Sequence, residues 1–118
     1  MSREIDAKVA ESLGWEVKDE SVYINGEWTC GINELKFSST GNGMLLLIEE
    51  IRNKLWWNLV LISHLRALSS NEGHEVHVFD CHGGDLASHQ DKESAPRAVS
   101  LAYLKARGVD ITSYVSSV

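Results

Sequence analysis

The amino-acid sequence predicts an α/β chain of the α+β type, an antiparallel sheet with helices packed on it, folded as a single domain over residues 1–118. Three observations predict it. Apolar residues recur at helical spacing near both ends and in the middle of the chain. Asn25-Gly26 separates two β-prone triplets, and such a pair supplies the two positive φ angles of a type I′ hairpin turn. Between 56 and 89 come further β-prone segments broken by Gly- and Ser-rich turns, the pattern of an antiparallel meander. With 43% hydrophobic and 24% charged residues the chain can bury a core, and its length suits one core rather than two.

The elements follow in order. Over 3–13, Ile5, Val9 and Leu13 with Ala10 form one apolar stripe, Ser2 stands where an N-cap belongs, and Gly14 can end the helix. The hairpin spans Val22 to Thr29. Ser38-Ser39-Thr40-Gly41-Asn42-Gly43 reads as a loop with several candidate N-caps for a helix over Met44 to Leu55, whose Met44, Leu47, Ile48, Ile51 and Leu55 face the core. Trp56 to Leu68 is almost continuously apolar, which suits a buried helix or a strand covered on both faces. Its β-branched and aromatic content and the Ser69–Gly73 turn favour a strand. Val76–Cys81 and Leu86–His89 complete the meander around Gly83-Gly84-Asp85. A last helix is capped by Ser94, carries Pro96 in its first turn and ends at Gly108.

Charge and composition exclude some functions. Seventeen acidic against eleven basic residues give a net charge of −6, which opposes attraction to nucleic-acid phosphates or anionic membranes. Direct nucleic-acid binding is therefore not expected. Met1-Ser2-Arg3-Glu4-Ile5-Asp6 lacks the apolar run of a secretory signal and no stretch is long enough to span a membrane, so the expected location is a cytoplasm. Cys30 and Cys81 are far apart in the sequence, and reduced thiols are expected there.

No catalytic, cofactor or metal site is expected. His77, Cys81, His82 and His89 offer ligand types suited to zinc. However, Cys81 and His82 fall on adjacent positions of an expected strand, which would send them to opposite faces; the same argument separates them as nucleophile and base. Gly83-Gly84 joins strand to strand, whereas phosphate loops open a helix. Gly41-Asn42-Gly43 does precede a helix but lacks the Lys-Ser/Thr of a P-loop. The remaining feature is Trp56-Trp57. Neighbouring residues of a strand or helix cannot bury two indoles in one direction, so either one is available to a partner or a second subunit or helices cover both faces of the sheet and bury both.

The chain also resembles the phage ABA-sandwich domain family of small bacteriophage and prophage proteins. The similar features are the opening Ile5-Asp6-Ala7-Lys8-Val9-Ala10-Glu11 helix leading to Gly14-Trp15 and the hairpin bearing Trp28. They continue through Phe37-Ser38-Ser39-Thr40 and the closing Ala95–Ala106 helix. The resemblance implies a phage origin, an α-β-α layered sandwich and action in the host cytoplasm, and brings no catalytic residues. Leu45-Leu46-Leu47 and Trp56-Trp57 depart from the pattern. The function expected is that of a non-enzymatic protein that modulates or inhibits a bacterial host system by protein–protein contact, in the manner of an anti-CRISPR protein, with Trp56 and Trp57 as the partner-binding residues. A homo-oligomer is compatible with this. The alternatives are a module that sequesters an anionic nucleotide through loop amides with Arg97 and Lys105, and a metal-dependent enzyme at the histidine-rich hairpin.

Overall fold

The computed structural model describes residues 2–64, 73–91 and 94–114. Helix α1 covers Ser2–Ser12, strands β1, β2 and β3 cover Glu16–Lys18, Ser21–Ile24 and Glu27–Gly31, and a 3₁₀ turn follows at Ile32–Glu34. Helix α2 covers Gly41–Glu50 and runs into a π turn at Ile51–Leu55. Strands β4, β5 and β6 cover Asn58–His64, Gly73–Phe79 and Asp85–Asp91, and α3 covers Ala95–Ala106. The strands form two three-stranded antiparallel sheets, β1-β2-β3 and β4-β5-β6, so the α+β class is the expected one. Among the described residues no helix is long and apolar enough to cross a membrane.

Local chemistry explains the boundaries. α1 ends with Gly14 at φ +91°, where the Gly14 N–H bonds the Glu11 carbonyl and the Trp15 N–H bonds that of Ala10. α3 repeats the arrangement with Gly108, whose N–H bonds Lys105, while Val109 bonds Leu104. Both ends are Schellman motifs, which satisfy carbonyls the helix leaves unpaired. Ser94 caps α3 by accepting from the Arg97 N–H at 3.2 Å. Asn25 and Gly26 have φ of 55° and 83° and join Ile24 to Glu27, as a type I′ turn requires.

The structure corrects several boundaries. Gly41-Asn42-Gly43 is the first turn of α2 rather than a loop, because Thr40 caps it by accepting from the Gly43 N–H at 3.0 Å. β4 begins at Asn58, directly after the Trp pair and not at Trp56, and the expected strand end at Leu68 and the following turn as far as Glu72 lie outside the described residues. β4 is not covered on both faces: Val60 is 45% and Ile62 41% exposed. β5 ends at Phe79, before Cys81. β1 was not expected from the sequence at all.

The core is assembled around α3, where Ala98 to Leu104 are buried without interruption, so this stretch is covered on all sides. β5 and β6 pack on one side of it, α1 and α2 on another. Val76, Val78 and Ala87 point from the sheet into this core, and Ile5, Val9, Leu47 and Ile51 enter it from the first two helices. Trp15 closes the end of α1 against Phe37 at 5.9 Å between ring centres. Asp6, although buried, accepts from both the backbone N–H and the hydroxyl of Ser38, at 2.9 and 2.8 Å, and so ties α1 to the segment before α2. Burial pushes its carboxyl above the usual range, against the opposing pull of the Ser38 bonds.

Candidate functional site

The Trp56-Trp57 step is placed by the end of the second helix. α2 widens into the π turn at Ile51–Leu55, an i→i+5 geometry often found at functional positions. Ile51 stays in the core while the Lys54 ammonium reaches back to Glu50 at 3.5 Å and lies 5.4 Å from the centre of the Trp15 ring. The turn then stops at Trp56, which adopts the left-handed conformation, φ 59° and ψ 33°. Glycine usually occupies such a position, because a Cβ makes it unfavourable. The reversal separates the two indoles. Trp57 packs against the core, 6.4 Å from the Tyr103 ring, and Trp56 is 70% exposed. The divergence expected of adjacent residues is present, although it comes from a left-handed residue before the strand and not from strand alternation.

Other large apolar side chains also face outward. Leu45 and Leu46 are exposed on α2 while Leu47 is buried, and Trp28 projects from β3. Thus the two sequence departures, Leu45-Leu46-Leu47 and Trp56-Trp57, each combine one side that builds the core with one that does not.

The histidine-rich hairpin has a different logic. Cys81 and His82 lie in the turn after β5, both exposed, so the expected separation by strand alternation does not apply. That turn is organised by Asp80, whose Oδ1 accepts from the N–H groups of His82 and Gly84 at 2.9 and 2.7 Å. These bonds hold its carboxyl below the usual range, that from Gly84 most strongly. Gly83 supplies φ +85°, and a Cβ on Gly84 would lie 2.6 Å from the Asp80 carboxylate. Both glycines are thus accounted for by the turn, and amides that a phosphate would need already hold this carboxylate.

The imidazoles are also dispersed. His77 pairs with Ser88 across the sheet and Val76 with His89, so His77 and His89 leave on opposite faces. The His77 Nε2 meets Glu75 at 2.5 Å and its ring stacks 6.3 Å from Phe79, while His89 Nε2 lies 3.9 Å from Asp91. Among the described residues there is no group of three or more His, Cys, Asp or Glu that would hold a metal ion. The cations proposed for an anionic ligand are engaged elsewhere. Arg97 bonds Asp91 and the Tyr114 carbonyl, pinning the chain after α3, and Lys105 donates to the Ser88 carbonyl at 3.0 Å. This Asp91–Arg97 pair was missed by sequence reading, because its members are on different elements and no motif joins them.

Gly43 had a similar fate as an anion-site candidate. Its Cβ would collide with the Lys36 carbonyl, so the residue serves the close approach of α2 to the preceding segment. Cys30 and Cys81 are unpaired thiols, and burial with the nearby Glu34 carboxylate raises that of Cys30. Compared with protein-family models, curated proteins and solved structures, the chain matches none, and its site is read on its own geometry.

Proposed function

We propose that this chain is a non-enzymatic protein-binding module that engages its partner through Trp56. The observation that carries this reading is the 70% exposed indole held on a left-handed backbone. Both features oppose stability: a left-handed non-glycine residue costs on the order of 1–3 kcal/mol, and an exposed indole forgoes the burial that makes tryptophan useful to a core. Glycine or asparagine would end the helix at less cost. A tryptophan in this place fits a binding anchor, since tryptophan is enriched among residues that dominate interface energies. On the family resemblance, the partner is a bacterial host protein met in the infected cell, and inhibition of CRISPR interference is the most concrete form.

The test is Trp56→Gly in the full chain. The variant is expected to melt higher than wild type by circular dichroism, to lose a host protein that the tagged wild type retains, and to lose protection of a CRISPR-targeted phage in a plating assay. Cys81→Ser and His82→Ala are expected to keep both activities. Equal retention and protection by Trp56→Gly would overturn the reading, and loss of activity in the Cys81 or His82 variants with unchanged partner retention would move the chemistry to the hairpin.

A further inference from the structure

The two sheets have four edges, and exposed edges invite pairing with another strand unless they are short, charged or covered. β1 has three residues, of which Glu16 and Lys18 are charged. β3 begins at Glu27, has an irregular register against β2 and turns directly into the 3₁₀ segment. β6 carries Asp85 and Asp91 at its two ends, and Lys105 holds its Ser88 carbonyl. Among the described residues β4 has none of these devices. Its seven residues, Asn58–His64, include no Asp, Glu, Lys, Arg or Pro, and among the described residues it pairs with β5 alone.

The strand is also matched to itself. An antiparallel pairing centred on Leu61 sets Val60 of one copy opposite Ile62 of the other, and a two-fold axis repeats that contact. Among the described residues these are the large apolar β4 side chains that the fold leaves exposed, at 45% and 41%. We infer that two copies of this chain pair through β4 about Leu61, joining two three-stranded sheets into one of six. In an antiparallel strand alternate residues turn both N–H and C=O outward, so a seven-residue edge exchanges about six to eight backbone bonds. The two Val60–Ile62 contacts add cross-strand apolar burial. Each copy carries a charge of −6, yet the strand itself contributes none of it, so the pairing sets no carboxylates of β4 opposite each other. A second copy is the occupant because the Val60–Ile62 match is supplied by the strand itself and repeats under the two-fold.

Sedimentation of the full chain across a range from low micromolar to millimolar tests this. Wild type is expected to pass from monomer to dimer. Val60→Lys with Ile62→Lys places like charges opposite each other twice and is expected to weaken association by roughly tenfold or more. Val60→Lys with Ile62→Glu places opposite charges there and is expected to restore the dimer. Thermal melts check that both double variants remain folded, as exposed positions allow. Trp56→Gly is expected to dimerise like wild type, which separates this inference from the proposed partner site. Wild type monomeric throughout, a Lys/Lys variant that still dimerises, a Lys/Glu variant that stays monomeric, or a dimer abolished by Trp56→Gly would each overturn it.

Discussion

In the β1–β3 sheet the strands are three to five residues long and are joined by two-residue turns, with all four turn residues, Asp19, Glu20, Asn25 and Gly26, at positive φ. In the β4–β6 sheet the strands are seven residues long, β5 and β6 are joined by the wider Asp80–Gly84 turn, and one face is packed on α3. The first sheet is held in register by turns, whose backbone twist matches the strands they join. The second is held by the alternation of its central strand β5, where Val76 and Val78 face inward and a slip of one residue would exchange the buried and exposed faces. A turn-held sheet needs little burial and can leave Trp28 outside; a burial-held sheet is sensitive at each inward position and tolerant at each outward one.

The largest expected effect tests that last statement. Val78→Asp buries an unpaired charge against α3 and should cost several kcal/mol, leaving the chain unfolded or insoluble. Ile62→Asp, on the outward face of the same sheet, should change stability by less than about 1 kcal/mol. Chemical denaturation of the two variants is the measurement. Equal destabilisation would mean that the outward face is as tightly packed as the inward one, and the contrast between faces would fail.

The same contrast explains what was legible in the sequence. Asn25-Gly26 announces its turn, because glycine and asparagine are the residues that accept positive φ, and the hairpin was placed correctly. Asp19-Glu20 adopts the same backbone signs without either signal, so β1 went unseen. The alternation of Val76 and Val78 located the buried face of β5. The continuous apolar run at Trp56–Leu68 concealed both the helix stop and the open face of β4, since hydrophobicity gives a residue's preference and not whether anything covers it. The exposure of one indole at Trp56-Trp57 is legible only in the adjacency of the two residues. Its left-handed backbone could not be read from a residue type that normally avoids that conformation.

An intermediate effect concerns the joint between the sheets. α1 packs on both β1 and α3, and Asp6 ties it to Ser38. A carboxyl whose folded pKa is raised contributes most below its unfolded value, about 3.9, and that contribution is lost as pH rises through the folded value. Asp6→Asn retains a carbonyl oxygen for the two Ser38 donors and abolishes the titration. It is therefore expected to match or exceed wild-type stability at pH 7 and to flatten the decline above about pH 4. Asp6→Ala removes the acceptor of both Ser38 bonds inside the core and should cost about 1–3 kcal/mol. Denaturation midpoints measured from pH 3 to 8 distinguish these outcomes; a wild-type stability that rises on deprotonation of Asp6 would contradict the assigned direction.

The smallest effect should come from the turn that the sequence hid. Asp19 and Glu20 sit at φ of 50° and 65°, where a side chain costs about 1 kcal/mol or more relative to glycine. Replacing them by Asn-Gly gives this turn the chemistry already present at Asn25-Gly26. The gain is partly offset by the greater freedom of glycine in the unfolded chain and by loss of the exposed Arg3–Glu20 ion pair, which is worth little in water. A net stabilisation of about 0.5 kcal/mol should remain, or roughly 2–4 °C in Tm for a domain of this size. The Glu20 carbonyl that accepts from Ile32 is backbone and survives the change. The converse replacement of Asn25-Gly26 by Asp-Glu should lower Tm, because it imposes the same conformational cost on the second turn. If each sheet is held as argued, both shifts appear in thermal melts while Ile62→Asp moves Tm little. If the Asn-Gly replacement at 19–20 instead lowered Tm, the positive-φ turn would not be what limits β1, and side-chain contacts of Asp19 or Glu20 would have to carry the register.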